Sequence, residues 1–299
     1  MRVLLTGAQG FVGSNVLIAL SKAGHEIVAI KRSISNLPTL IKDLKGVIWI
    51  NSDQNFYSTL ESLGKFDVVV HLATNYGCKN INWIDIEFDN VVFPLKILQF
   101  SINNGCNIFI NTDTFFSRSE YSYAHMEEYI STKKYFSSWG LLATTRNPEF
   151  IFINARLEHV YGPGDSKEKF TMWLLENLIS NKKEIKLTTC KQKRDFIYID
   201  DVVEAYLSIV NNAASLKGYS DIGIGTGISV PLKDFILTAK YITGSSTELH
   251  FGALPQRKGE IMSSQADSKI LNSFGWTSKI DIVDGLDSIV KILHSSENA

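Results

Sequence analysis

Three glycines at a spacing of three, Gly7, Gly10 and Gly13, constrain this chain more than any other feature. They lie between Arg2–Thr6, a short and mostly apolar run that reads as a strand, and residues 14–23, which have helical periodicity. Residues 26–30 read as a second strand. Together these make a βαβ unit. Its turn must reverse the chain tightly, let backbone N–H groups approach a pyrophosphate, and start the helix close to the strand. A plain strand-to-helix turn would also use glycine, and the spacing is G-x-x-G-x-x-G. The position between an apolar strand and a helix is what points to a bound dinucleotide.

The end of the second strand says which dinucleotide. An acidic side chain there would accept hydrogen bonds from the adenosine ribose of NAD, whereas NADP adds a phosphate at that spot. This chain has Lys31 and Arg32, suited to a 2′-phosphate, so NADPH is expected; the competing reading is two exposed cations solvating a loop. A third strand over 46–50 runs toward Asp53, whose carboxylate could meet the adenine amino group or could simply form a turn.

Further along, apolar runs at 66–72, 107–112 and 150–157 read as parallel strands covered on both faces. Helical patterns at 84–103, with Asn90 inside, and at 126–142 alternate with them. The alternation predicts an α/β fold, a Rossmann-type doubly wound parallel sheet. Small residues follow the fourth strand in His71-Leu72-Ala73-Thr74, at the carboxyl end where open α/β sheets bind ligands, and Tyr76 begins the next loop. The fifth strand ends in Asn111-Thr112-Asp113-Thr114. Tyr129 and Lys133 are four apart and share one helix face, although a chain with 11 tyrosines and many lysines would show about one such pair by chance. Gly162-Pro163-Gly164 marks the exit from the sheet. The expected division is 1–160, also receiving roughly 191–217, for the dinucleotide, and a smaller C-terminal α/β lobe at 161–299 for the substrate.

Composition narrows the function classes. The 299 residues are 44% hydrophobic and 20% charged with a net charge of −1, which leaves no electrostatic footprint for nucleic acid or an acidic membrane surface. Cys78, Cys106 and Cys190 form no C-x-x-C pair, so neither a metal site nor a disulfide framework is expected. No apolar run reaches membrane-spanning length, and a cytoplasmic, soluble protein is expected.

Taken together, Thr6-Gly7-Ala8-Gln9-Gly10-Phe11-Val12-Gly13, His71-Leu72-Ala73, Thr112, Tyr129 with Lys133, Arg156 through Gly164, Arg194-Asp195-Phe196 and Arg257 resemble the extended short-chain dehydrogenase/reductase family in its nucleotide-sugar branch. Tyr76-Gly77, Phe115-Phe116, His125-Met126 and Arg156-Leu157-Glu158-His159 are most similar to its members that make deoxyhexoses such as abequose or fucose for surface polysaccharide, including lipopolysaccharide O-antigen. The resemblance implies NADPH-dependent reduction of the 4-keto group of a CDP- or dTDP-linked 4-keto-6-deoxyhexose. It implies Tyr129 as catalytic acid, Lys133 as its partner and Thr112 as the hydroxyl that the family more often supplies as Ser. Gly7, Gly10, Phe11, Val12, Gly13, Lys31, Arg32, Asp53, Leu72, Ala73, Thr74, Tyr129 and Lys133 would hold the cofactor. Tyr76, Asp113, His159, Phe170, Arg194 and Arg257 would hold the sugar nucleotide, the two arginines at its pyrophosphate. A homodimer through the two helices after strands four and five is also implied.

A ketone becoming an alcohol needs hydride at carbon and a proton at oxygen, and a nicotinamide supplies only the first. A tyrosine near an ammonium, and a hydroxyl donor to the developing alkoxide, supply the rest. Each residue has a plainer reading: Tyr129 and Lys133 on an amphipathic surface, Thr112 as a β-branched strand end, His159 as a polar group near a turn, Arg194 paired with Asp195 or Asp200. Two other functions compete. A nucleotide-sugar epimerase or dehydratase would retain NAD, and the absence of an acidic residue at Lys31 weighs against it. A non-catalytic dinucleotide sensor would not need Thr112, Tyr129 and Lys133 together.

Overall fold

The computed structural model describes residues 1–32, 37–53, 56–77, 82–118, 120 and 126–297; Cys78 and His125 lie outside them. The first half alternates strand and helix: β1 Arg2–Thr6, α1 Phe11–Lys22, β2 Glu26–Lys31, α2 Thr39–Lys42, β3 Val47–Asn51, α3 Phe56–Ser62, β4 Val68–His71, α4 Trp83–Glu87, α5 Phe93–Asn103, β5 Ile108–Thr114, α6 Glu127–Arg146 and β6 Ile151–Leu157. The rest is β7 His159–Tyr161, α7 Phe170–Ile179, β8 Glu184–Leu187, β9 Lys193–Arg194, β10 Phe196–Tyr198, α8 Ile199–Asn212, β11 Tyr219–Ile224, β12 Val230–Pro231, α9 Leu232–Thr243, β13 Glu248–Phe251, α10 Lys269–Ser273 and α11 Ile282–Glu297.

Seven strands form one sheet in the order β11-β6-β5-β4-β1-β2-β3, and the pairs β1–β2, β2–β3, β1–β4 and β4–β5 are parallel. The doubly wound Rossmann architecture expected from the alternation is what the chain adopts. The chain walks outward from β1 to β3, then crosses back to β4. The reversal falls between β1 and β4, which is where such sheets open a ligand crevice at their carboxyl ends. Register puts Thr6 beside His71 and His71 beside Asn111, so Gly7 and Leu72 leave the sheet next to one another, beside Thr112 near the carboxyl end of β5.

The chain divides into two compact units, the first being Met1–Arg118, His125–Arg156 and Val203–Ile222, and the second the remainder. The core of the first is aromatic: Phe109, Phe152 and Tyr219 stack in succession at 5.4 and 5.7 Å across β5, β6 and β11. Helix α6 lies close to this ladder because Gly140 has no side chain; a Cβ there would fall 2.3 Å from the Phe152 ring. In the second unit, β7 pairs with β10, β8 with β13 and β9 with β12, and Phe196 stacks on Phe235 at 3.9 Å. Asp201 ties the C-terminal segment to α8 by accepting from the N–H groups of Lys279 and Ile280, each at 3.0 Å.

Two segments differ from the periodicity. The helix expected over 84–103 is interrupted between α4 and α5 by a π turn, Phe88–Val92, in which the Phe93 N–H bonds back to Phe88 O. Pro94 has no N–H to give the Asn90 carbonyl, so the α-helical pattern cannot continue through this turn. The last strand of the sheet, β11, lies in a region whose weak periodicity offered no strand signal.

Candidate active site

In the first unit the glycine turn is built as a phosphate cradle requires. Gly7 takes φ +73°, and a Cβ on it would fall 2.4 Å from the Ala73 N. A Cβ on Gly13 would fall 2.0 Å from the Gly7 carbonyl oxygen, so the turn and the helix touch backbone to backbone. Helix α1 begins at Phe11, three residues before the periodicity indicated, with Gly10 as N-cap, no side-chain cap and no acidic residue in its first turn. A helix start left without a capping side chain or a negative charge keeps its first N–H groups and the positive end of its dipole available to an anion. These residues fit a dinucleotide pyrophosphate. Lys31 closes β2, opposite Asn51 of β3, with Arg32 exposed after it; Asp53 is exposed just beyond β3.

The adjoining segment is fixed by a histidine the sequence had shown only as part of a motif. His71 is buried, and its Nδ1 lies 2.7 Å from Thr6 Oγ1, which also accepts from the Ala73 N–H at 3.2 Å. Burial, and then the charge of Lys133, hold His71 well below its ordinary pKa, so it is a neutral imidazole that, through Thr6 Oγ1, anchors the Leu72–Ala73 segment.

Thr112, Tyr129 and Lys133 come together at the carboxyl end of β5. Lys133 is 3% exposed, its Nζ donates to the Thr112 carbonyl at 2.9 Å and lies 5.9 Å above the Tyr129 ring. Burial pushes the lysine down to about 8, against the pull of Asp113. Tyr129 is buried as well, with Tyr76 packed on its ring at 5.0 Å. An ammonium neighbour was expected to bring this phenol toward neutral pH. Desolvation wins instead: burial, then Tyr76 and Asp113, hold Tyr129 well above 10, and hydrogen bonds with Thr114 and Thr74 only partly oppose them. Tyr129 therefore stands as a protonated acid.

Asn90 and Tyr206 complete the cluster, and neither was a candidate from spacing. The π turn turns Asn90 inward, where it accepts from the Asn75 N–H at 2.7 Å and donates to Asn75 O at 2.8 Å and Thr132 Oγ1 at 3.1 Å. It thus joins the loop after β4 to the helix that carries Tyr129. Tyr206 on α8 has its hydroxyl 2.6 Å from Thr112 Oγ1. Asp113, next to Thr112, is 2% exposed and ties β5 to β6: it accepts from Ser117 Oγ at 2.6 Å, Asn154 Nδ2 at 2.7 Å and Arg156 Nε at 3.2 Å.

In the second unit, Arg194 is 5% exposed and pairs with Glu260; its Nη1 also donates to Lys193 O at 2.8 Å. Asp195 is committed elsewhere, accepting from Thr226 N at 2.8 Å, Gly227 N at 2.9 Å and Ala266 N at 3.0 Å. Arg257 is exposed on the loop that brings Glu260 to Arg194. His159, whose ring meets Phe196 edge-on at 5.7 Å, is pushed down to about 3 by burial and by the charges of Arg194 and Lys169, and is neutral. Phe170 opens α7, beside Trp173 at 6.0 Å. Cys106 and Cys190 are buried free thiols; among the described residues no group of His, Cys, Asp and Glu could hold a metal, and no helix is long and apolar enough to cross a membrane.

The chain is 40% identical over 294 residues, 97% of its length and 98% of the relative's, to CDP-abequose synthase from Salmonella typhimurium strain LT2. To the CDP-abequose synthase of Salmonella muenchen it is 36% identical over 292 residues, 97% of each chain. In fold it matches the crystal structure of UDP-glucose 4-epimerase from Thermotoga maritima with UDP-glucose, TM-score 0.82 at 21% identity, covering 99% of this chain and 100% of that one. The model of the NAD dependent epimerase/dehydratase family matches residues 3–225, and the chain belongs to that family.

Proposed function

We propose that this protein reduces the 4-keto group of a CDP- or dTDP-linked 4-keto-6-deoxyhexose with NADPH, giving a deoxyhexose such as abequose or fucose for surface polysaccharide. The observation that carries the reading is the cluster of Thr112, Tyr129 and Lys133 in a chain 40% identical over nearly its whole length to a CDP-abequose synthase. Lys31 and Arg32 at the end of β2 favour the 2′-phosphate of NADPH over NAD. We assign the dinucleotide to 1–160, which also receives roughly 191–217, and the sugar nucleotide to 161–299, with Arg194 and Arg257 on the pyrophosphate, His159 and Phe170 on the sugar nucleotide, and Tyr76 and Asp113 bordering the sugar.

When bound, the nicotinamide supplies the hydride that goes to C4. Tyr129 Oη gives its proton to the carbonyl oxygen as that oxygen gains charge; its raised pKa keeps the proton in place until then. Thr112 Oγ1 donates to the developing alkoxide. Lys133, anchored on the Thr112 carbonyl, lies over the Tyr129 ring so that its ammonium stabilises the phenolate left behind. Exposed Trp83, Ile84, Phe88, Tyr135 and Leu141 along α4, the π turn and α6 support a homodimer through these helices, and nucleotide-linked substrate and NADPH are consistent with a cytoplasmic enzyme.

The test is NADPH oxidation with CDP-4-keto-3,6-dideoxyglucose and dTDP-4-keto-6-deoxyglucose, with Tyr129→Phe as control. Turnover that requires NADPH and falls about 10³-fold in the variant supports the reading. No oxidation with either substrate, from protein purified with tightly held NAD, refutes it in favour of an epimerase.

A further inference from the structure

Tyr206 is fully buried on α8 and has no part in the reaction written above. Its hydroxyl meets Thr112 Oγ1 at 2.6 Å across 94 residues of sequence. Burial decides the direction of this bond. If Thr112 donated, the phenolic proton of Tyr206 would be left without an acceptor among the described residues, and a buried donor without a partner is strongly disfavoured. Tyr206 therefore donates and Thr112 accepts. Burial also keeps the phenol protonated through the working pH range, so the donor is permanent.

We propose that Tyr206 is a positioning residue for the reduction: its hydroxyl holds Thr112 Oγ1 so that the threonine proton is left for the substrate oxygen. A hydroxyl has one proton and two acceptor sites, so accepting from Tyr206 leaves the Thr112 proton uncommitted to that bond. Threonine is stiff at χ1, and one anchoring bond is enough to select a rotamer. The result is a chain from Tyr206 to Thr112 to the developing alkoxide, in which each bond polarises the next. The Lys133 bond to the Thr112 carbonyl fixes the same residue from its backbone, so both halves of Thr112 are held.

This inference rests on the ketoreductase reading, and the experiment separates the two. Steady-state NADPH oxidation is measured for wild type, Tyr206→Phe, Thr112→Ala and the double variant, with thermal unfolding of each. Tyr206→Phe is expected to lower kcat about tenfold with KM within about twofold, and to cost nothing further in the Thr112→Ala background. An equal loss in both backgrounds, or unchanged kcat with only a lowered Tm, overturns the proposal. A second readout needs no turnover: in protein labelled at threonine methyl groups, the Thr112 methyl resonance is expected to report one rotamer in wild type and averaging in Tyr206→Phe. An unaltered resonance overturns the positioning even if the enzyme is active. An averaged one upholds it even if neither substrate is reduced, in which case the assigned reaction alone fails.

Discussion

Replacing Lys133 by methionine gives a measurement of the site's electrostatics that does not depend on the substrate. Methionine has a similar length and no charge, so the exchange removes the ammonium while keeping most of the packing. The fold lowers this lysine from 10.5 to about 8, burial being the cause. At 1.36 kcal/mol per unit, the folded state disfavours the ammonium by about 3 kcal/mol. The sign follows from linkage. Below pH 8 both folded and unfolded chains carry the charge, and wild type bears the whole penalty. Between about 8 and 10.5 the unfolded chain binds the proton and the folded one has released it, so wild-type stability rises with pH. The variant has no such group; His71, the neighbour whose pKa feels the Lys133 charge, stays neutral across this range and Tyr129 stays protonated, so other titrations largely cancel in the difference. Wild type should therefore gain about 2 kcal/mol on Lys133→Met between pH 7 and pH 9.5. Urea unfolding at half-unit intervals reads this directly. A difference that stays flat across that range would mean a lysine titrating near 10.5, and the assignment of Lys133 to a dry site over Tyr129 would fall with it.

Other perturbations address single features. Gly13→Ala should destabilise by about 3 kcal/mol, because its Cβ meets the Gly7 carbonyl and no flexible side chain can give way; wild-type melting with intact NADPH binding would show that the turn can open. Lys31→Glu is expected to raise KM for NADPH about tenfold or more and to improve NADH, by setting a carboxylate against the 2′-phosphate; an unchanged cofactor ratio would remove Lys31 from that site. Arg194→Lys should raise KM for the sugar nucleotide about tenfold or more and change kcat little, since an ammonium cannot reproduce the guanidinium fork that also holds Glu260; a loss confined to kcat would contradict a pyrophosphate role.

How much could be read beforehand varied with the range of the interaction. The strand-to-helix alternation and the glycine turn were legible because each depends on neighbours within a few residues: apolar runs, the absence of a Cβ, a helix start. Tyr129 and Lys133 were legible as a pair, since spacing of four places both on one face of α6. Asn90 was seen inside a helical pattern, but the π turn that directs it inward came from Pro94 withholding a hydrogen bond, an effect the apolar periodicity does not register. For Arg194, nearby Asp195 and Asp200 were the visible partners. The structure supplies Glu260, 66 residues away, and gives Asp195 to backbone N–H groups.

What the amino-acid order determined by itself was the architecture and the residue types at the strand ends, because local sterics and hydrophobic period are written in adjacent positions. What only the tertiary structure decided was the chemical state of those residues. Tyr129 is a firmly protonated acid, Lys133 a lowered ammonium and His71 a neutral imidazole because each is stripped of water. Tyr206 meets Thr112 because α8 returns to the first unit after a long excursion of the chain. Desolvation and long-range pairing are properties of surroundings, and surroundings exist only once the chain has folded.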